Sequence, residues 1–168
     1  MILGMSVATF TLLHVIISLV GIVTGLVVAA GLWKNRQLGN WTGVFLSTTL
    51  LTSVTGFMFP GTGLDPAQIL GIISVVTLAI ALLALYGYRA AGAWRWIYVS
   101  SALFALYLNC FVAVVQSFQK IPALHALAPK GNEPAFVAAQ VTLMLAFIVV
   151  GVVSVRRFHP IARTATYA

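Results

Sequence analysis

Five stretches of this chain are each about as long and as apolar as a helix that crosses a lipid bilayer. They run approximately over residues 5–33, 41–59, 69–88, 96–118 and 135–155. The hydrocarbon core of a bilayer is roughly 30 Å thick, and about 20 helical residues are needed to cross it. Backbone amides find no hydrogen-bond partners in lipid, so each stretch must be helical. The sequence therefore predicts one all-α, polytopic membrane helix bundle of five spans.

The composition excludes the soluble classes of protein. Hydrophobic residues make up 61% of the 168 residues, and charged residues only 7%. Soluble domains carry about 25% charged residues, and a small domain can bury only about two thirds of the surface that its unfolded chain exposes. A single cysteine, Cys110, also excludes a disulfide scaffold. The chain is predicted to be an integral membrane protein.

The basic residues lie outside the five stretches and are divided unequally between the two sides. Lys120 and Lys130 lie on one side, with the two acids Asp65 and Glu133. The other side carries the remaining seven basic residues, Lys34, Arg36, Arg89, Arg95, Arg156, Arg157 and Arg163. Because cytoplasmic loops are rich in Lys and Arg, we expect the N-terminus outside and the C-terminus in the cytoplasm. The net charge of +7 then reflects topology, and we expect no nucleic-acid partner.

The polar side chains inside the spans are distributed unevenly with respect to depth in the membrane. Such side chains are costly in lipid and mark functional sites. In the predicted orientation all of the following lie at or outside the midplane: His14, Thr52, Thr55, Asn109, Gln116 and Gln140. Leu, Val, Ile and Ala dominate the inner half. The pattern predicts a ligand-binding polar pocket that opens outward above a sealed inner half.

Helical spacing places several of these residues on packing faces. His14, Ser18, Gly21 and Gly25 are separated by three or four residues and so share one face of a helix. Gly21 and Gly25 form a G-x-x-x-G pair, which favours close helix packing in membranes. A structural interpretation remains open beside the pocket, because Ser and Thr often bond their own helix carbonyls and amides can simply join helices.

Residues 116–129, which lead from the fourth stretch into the longest connection (residues 119–134), mix apolar residues with Lys120 and His125. Ile121, Leu124 and Leu127 recur at helical spacing, which predicts a short amphipathic helix on the outer surface. We expect this helix, with Lys120 and His125, to form a lid over the pocket.

Two segments carry a resemblance to a known kind of protein. These are Thr52-Ser53-Val54-Thr55-Gly56-Phe57-Met58-Phe59-Pro60 and the connection over residues 116–129. They are similar to segments of small multi-pass bacterial inner-membrane proteins of unknown function. The resemblance implies a location in the bacterial cytoplasmic (inner) membrane, and it implies no catalytic residues.

Three functional hypotheses follow from these patterns. The first is a non-catalytic accessory subunit or small-ligand-binding bundle that belongs to a larger membrane complex or a homo-oligomer. The second is a redox component that binds haem or a quinone through His14, with His125, Met58 or Met5 as a second haem ligand. The third, a facilitator for a neutral solute, would need a path through the apolar inner half. No residue spacing matches a metal site or a catalytic set.

Overall fold

The computed structural model describes residues 1–59 and 66–159, which form helices and contain no β-strand. The helices are α1 (Val7–Trp33), α2 (Gly39–Gly56), α3 (Pro66–Leu82), α4 (Trp94–Lys120), α5 (Pro122–Leu127) and α6 (Pro134–Arg157). A short π-helical segment, Leu83–Gly87, extends α3. The predicted helix break at Pro60 and Gly61, together with Asp65 and Arg163, lies outside the described residues.

All five apolar stretches are helical, and their ends lie within three residues of the predicted bounds. Four of these helices are long and apolar enough to cross a membrane: α1, α3 with its π-helical extension, α4 and α6. The described architecture is therefore that of an integral membrane helix bundle. The short helix predicted in the connection over residues 116–129 is also present, as α5.

Helix α2 is set apart from the other four by its sequence. Seven of its 18 residues carry hydroxyl groups: Thr42, Ser47, Thr48, Thr49, Thr52, Ser53 and Thr55. These hydroxyl side chains lower the mean hydropathy of α2. By length and apolarity, four of the described helices could therefore cross a membrane, whereas five spans were predicted from the sequence.

Helices α1 and α2 form an antiparallel hairpin that stays in register over its whole length. From Phe10 to Gly25, steps of three or four residues along α1 are matched by steps of three or four residues back along the facing chain, and the last step is six residues on one side and seven on the other. The facing pairs are Phe10 with Phe59, His14 with Thr55, Ser18 with Thr52, Gly21 with Thr48 and Thr49, Gly25 with Phe45, and Gly31 with Leu38. At 1.5 Å per residue, the paired part of α1 from Phe10 to Gly31 is about 31 Å long.

The remaining helices assemble around this hairpin. Helix α3 packs against α2 and α4, and α4 contacts α1, α3 and α6. Fully buried side chains of α4, such as Val99 and Ala105, lie in the core together with Leu78 of α3 and Phe45 of α2. Helix α6 packs along α4 and is the least covered: the apolar stretch that qualifies it as a span contains no buried residue.

One end of the bundle, which we call the basic end, is closed by contacts of the α6 C-terminus. The guanidinium of Arg157 lies over the ring of Trp33, 5.6 Å from its centroid. Arg95 Nη1 donates to the carbonyl of Phe158, and the backbone N–H of His159 donates to Asn35 Oδ1 over 2.7 Å. These contacts bring the ends of α1, α4 and α6 together.

The charges of the described residues separate between the two ends of the bundle. Lys120 ends α4 and Lys130 lies between α5 and α6, at what we call the α5 end. The basic end carries six basic residues, Lys34, Arg36, Arg89, Arg95, Arg156 and Arg157. The unequal distribution expected from the sequence is thus present in the fold.

Candidate functional site

His14 of α1 makes a side-chain hydrogen bond to α2 in the half of the bundle nearer α5. His14 Nδ1 lies 2.8 Å from Thr55 Oγ1. The same hydroxyl lies 2.7 Å from the carbonyl of Leu51, to which it donates its single proton. With that proton on the carbonyl of Leu51, Thr55 Oγ1 accepts from the imidazole and Nδ1 carries the proton of a neutral ring. The tautomer of His14 that this hydrogen-bond assignment favours has a lone pair on Nε2.

The surroundings of the imidazole are apolar. The ring of Phe59 stands edge-on to that of His14, with centroids 5.2 Å apart, and it also contacts the buried ring of Phe10. Gly56 lies beside the imidazole, and a Cβ added at this position would come within 3.9 Å of His14 Cε1. His14 is partly buried, and Nε2 makes no hydrogen bond to another residue within 1–59 and 66–159.

One turn further along α1, Ser18 continues the polar contact with α2. Ser18 Oγ lies 3.3 Å from Thr52 Oγ1, and it donates to the carbonyl of His14 over 2.7 Å. Three of the predicted site residues, His14, Thr52 and Thr55, are therefore brought together along one helix interface.

Asn109 lies in a second polar contact, deeper in the bundle. Its Nδ2 donates to Thr49 Oγ1 of α2 over 3.1 Å. Gly21 of α1 faces this pair: a Cβ there would lie 3.2 Å from Thr48 Oγ1 and 3.6 Å from Asn109 Nδ2. Gly21 thus lets α1 approach a hydrogen bond between α2 and α4, as expected for a packing glycine.

The two glutamines are placed apart from this cluster. Gln140 of α6 donates through Nε2 to the carbonyl of Phe111 over 3.3 Å, and its Oε1 is buried with no partner among the described atoms. Gln116 is exposed on the surface of α4. Gln140 therefore lies in the contact between α4 and α6, and Gln116 lies on the surface. His14, by contrast, lies between α1 and α2.

Sequence reasoning missed the role of α2 as the centre of these polar contacts. Besides its bonds to α1 and α4, α2 places Ser53 Oγ 2.9 Å from Ser74 Oγ of α3, and both residues are buried. Thr49 is fully buried. The dense run of hydroxyl residues in α2 was the available signal, but spacing alone does not tell which neighbouring helix each hydroxyl meets.

Five of the six predicted pocket residues are hydrogen-bonded at helix contacts and Gln116 is exposed. Two cavities lie elsewhere. One is a groove between α4 and α6, described further below. The other, of about 200 Å³, lies at the α5 end and is lined by Phe118, His125, Lys130 and Phe136, among others. His125, expected to belong to a lid, therefore lines a cavity at that end. Lys120 is exposed in the last turn of α4.

The loop that leads into α6 is organised by a carboxylate. Glu133 Oε1 accepts from the backbone N–H of Lys130 over 2.9 Å, and Oε2 accepts from that of Asn132 over 3.1 Å. Desolvation acts to raise the pKa of Glu133, but the backbone N–H groups that bond the ionised form outweigh it and lower the pKa below its ordinary value. The ionised carboxylate thus holds the Lys130 loop at the edge of the cavity at the α5 end.

Acidification is expected to loosen this loop. A carboxyl whose folded pKa is depressed stabilises the fold above its unfolded pKa, and that contribution disappears as the pH falls through the folded pKa. Protection of the Lys130 and Asn132 amides against hydrogen exchange, corrected for intrinsic rates, should therefore fall as the pH is lowered through the depressed pKa of Glu133. Glu133→Gln should lower the protection at neutral pH and remove its pH dependence. Equal protection in both proteins at all pH values would contradict the assignment.

The three histidines lie on different parts of the bundle. His159 lies at the basic end, the opposite end from His14, and His125 lies on α5. No group of three or more His, Cys, Asp or Glu side chains that could hold a metal ion occurs in residues 1–59 and 66–159. A haem iron bound by Nε2 of His14 would need a methionine, an external ligand or His125 as its second ligand.

The fold and its contacts define the class of protein, an integral membrane bundle joined by polar pairs around a hydroxyl-rich helix. No protein-family model matches the chain, and no curated protein or solved structure is similar to it. Its function is therefore inferred from its own geometry.

Proposed function

We propose that this chain is a non-catalytic integral protein of the bacterial cytoplasmic membrane that binds a small amphiphilic ligand through His14. The observation that carries the proposal is the bond from His14 Nδ1 to Thr55 Oγ1. This bond orients the imidazole and leaves Nε2, which has no partner in the described part of the chain, as a hydrogen-bond acceptor.

In this proposal α2 crosses the membrane as a fifth span. Its pairing with α1 from Phe10 to Gly31 supports this, because a helix in register along about 31 Å of a spanning helix covers the same depth. The hydroxyls of Ser53, Thr48 and Thr55 donate to carbonyls of their own helix. These hydroxyl-to-carbonyl hydrogen bonds reduce the free-energy cost of placing α2 in lipid. Contacts with three neighbouring helices shield α2 further.

The charge distribution supports an orientation with the basic end in the cytoplasm. Six described basic residues lie at that end, and only Lys120 and Lys130 lie at the other. The positive-inside rule then places the N-terminus and α5 outside, and the C-terminus in the cytoplasm. His14 consequently lies in the outer half of the membrane.

The tautomer of His14 specifies which ligand group it prefers. An Nε2 lone pair accepts a hydrogen bond, so it selects a hydroxyl of the ligand over a carbonyl. The rings of Phe10 and Phe59, and Gly56 beside the imidazole, provide an apolar setting for a flat ring. A quinol fits these features, since it joins a hydroxyl-bearing ring to an apolar tail.

Substitution of His14 or of Thr55 is expected to change ligand binding. His14→Ala should weaken binding of a short-chain quinol by about tenfold, the loss of one hydrogen bond of about 1.4 kcal/mol. Thr55→Val removes the acceptor of Nδ1–H, so that the imidazole is free to place its proton on Nε2. This variant should therefore lose its preference for quinol and gain affinity for the oxidised quinone.

Calorimetric titration of both ligand forms into the protein in mild detergent measures these effects. Ser117→Ala is the matched control, because its hydroxyl bonds only the carbonyl of Ala113 on its own helix. Quinol binding that is unchanged in His14→Ala, or equally reduced in Ser117→Ala, would contradict the proposal.

A haem-binding redox component is the second candidate, and the same geometry favours it. Histidines that bind metals donate their other ring N–H to an acceptor that orients them, as Nδ1 of His14 does to Thr55. Met58 lies three residues after Thr55 and is one candidate for a second ligand. A Soret band in the visible spectrum of the purified protein, lost in His14→Ala, would establish haem; its absence from haem-supplemented preparations would exclude it.

A role as an accessory subunit is supported by the sparse covering of α6. Apolar side chains along this helix are exposed, including Val137, Leu145 and Val149. Either lipid or a partner subunit, including a second copy of this chain, can cover such a face. The mass of the complex extracted from native membranes distinguishes these cases.

A further inference from the structure

A groove runs between α4 and α6 on the outside of the bundle, apart from the His14 site. It has a volume of about 630 Å³. Its lining residues are Ser100, Leu103, Phe104, Tyr107, Met144, Phe147, Ile148, Gly151, Val152, Val155 and Arg156. The groove is therefore almost wholly apolar along its length and polar at the end where Ser100 and Arg156 lie.

The groove covers about one leaflet of a bilayer. Along α6 it extends from Met144 to Arg156, which is about 18 Å at 1.5 Å per residue. Half of a hydrocarbon core is roughly 15 Å. Its polar end coincides with the basic end of the bundle, because Arg156 belongs to the last turn of α6 and Ser100 to the first two turns of α4. The apolar part then reaches toward the midplane.

Gly151 keeps the groove open. A Cβ built at this position would meet no atom within 4 Å, so packing inside the protein does not require a glycine here. A larger side chain at residue 151 would instead project into free space along the groove. Tyr107 and Phe147, whose ring centroids are 5.7 Å apart, line its apolar part.

The charge at the polar end is uncompensated. Arg156 is exposed and makes no hydrogen bond or ion pair with another residue within 1–59 and 66–159. Glu133, the one acid in that part of the chain, lies at the opposite end of α6. Arg157, the neighbouring cation, is engaged over Trp33. An anionic group at the membrane surface is the chemical complement of Arg156, and Ser100 offers a hydroxyl beside it.

We propose that this groove binds one anionic phospholipid of the basic-end leaflet. One acyl chain lies along Leu103, Tyr107 and Ile148 over Gly151. The phosphate accepts hydrogen bonds from Arg156 and Ser100. Basic pockets between membrane helices on the cytoplasmic side recognise anionic headgroups in this manner. The site does not depend on His14 or its ligand.

The test uses the full-length protein in mild detergent with phosphatidylglycerol and phosphatidylcholine of the same acyl chains in equal amounts. Native mass spectrometry counts the lipids of each kind that remain bound. Arg156→Gln removes the headgroup contact, and Gly151→Leu fills the groove without a steric clash inside the protein. Their matched controls are Arg36→Gln, another exposed cation at the basic end, and Val149→Leu, an exposed residue of α6 outside the groove.

The unsubstituted protein should retain one phosphatidylglycerol in preference to phosphatidylcholine. Arg156→Gln should reduce that preference about fivefold, the usual effect of one basic residue near a membrane surface. Gly151→Leu should lose both lipids, and the two controls should behave as the unsubstituted protein. Inorganic phosphate and glycerol phosphate should not displace the lipid.

Three results would overturn the proposal. They are equal retention of both lipids by the unsubstituted protein, an equal loss in Arg36→Gln and Arg156→Gln, and displacement of the lipid by inorganic phosphate. An unchanged melting temperature of the Gly151→Leu protein confirms that its loss of lipid does not arise from unfolding.

Discussion

Replacement of Gly25 by leucine is expected to lower the free energy of unfolding by about 3 kcal/mol, the upper part of the range for overpacked cores. Gly25 of α1 lies against Phe45 of α2 and Leu106 of α4. Even a Cβ at this position would lie 2.5 Å from Leu106 Cδ1 and 2.9 Å from Phe45 Cδ2. Both neighbours are buried with almost no exposed surface, so they have no space into which to move, and the helices must separate.

Thermal unfolding in detergent, followed by intrinsic fluorescence and by elution on size exclusion, measures this effect. Gly43→Leu is the matched control: Gly43 is a helical glycine of α2 around which a Cβ would meet no atom within 4 Å. The control should unfold close to the unsubstituted protein. Equal destabilisation by both substitutions would show that helix propensity or lipid contact, and not close packing at Gly25, determines the result.

Replacement of Arg95 by glutamine should free the C-terminal end of α6 and cost about 2 kcal/mol, the usual size of a hydrogen bond to a charged group. Arg95 Nη1 donates to the carbonyl of Phe158 and lies 3.4 Å from that of Val155. Cations at a helix C-terminus also interact favourably with its dipole. The ring of Phe158, fully buried beside Tyr98, should become accessible when this contact is lost.

Hydrogen exchange of the backbone over residues 155–159 reports the release directly. The Arg95→Gln protein should exchange faster there, while the α1–α2 hairpin keeps its protection. Arg36→Gln, which removes a basic residue from the same end of the bundle, should leave exchange at residues 155–159 unchanged. Slow exchange in both variants would mean that Phe158 and the Trp33–Arg157 contact are sufficient to hold α6.

The candidate site shows where sequence reasoning reaches its limit. The spacing of His14, Ser18, Gly21 and Gly25 places them on one packing face, and the fold has them all at the contact of α1 with α2. Spacing could not identify Thr55 as the partner of His14, because that depends on how far α2 slides along α1. The tautomer proposed for His14, and the ligand group proposed to bind it, depend on this register.

The polar residues of α4 show that helical spacing also does not reveal which residues a neighbouring helix covers. Asn109 and Gln116 are seven residues apart and were expected to line one pocket. In the fold Asn109 bonds Thr49, whereas Gln116 is exposed, because the covering helices reach only part of that face. The groove between α4 and α6 has no signature in the sequence, since Gly151 and Arg156 stand out only when α4 lies beside them.

The helices, their bounds and the separation of charge between the two ends follow from the amino-acid sequence alone. Lipid excludes unpaired backbone groups and exposed charge, and this exclusion acts on each helix independently of its neighbours. The packed fold was needed to show which hydroxyl faces His14, that α2 is the polar centre of the bundle, and where α4 and α6 leave a groove. Those features depend on the rotation and sliding of one helix against another, and differences of a few ångströms determine whether a hydrogen bond forms.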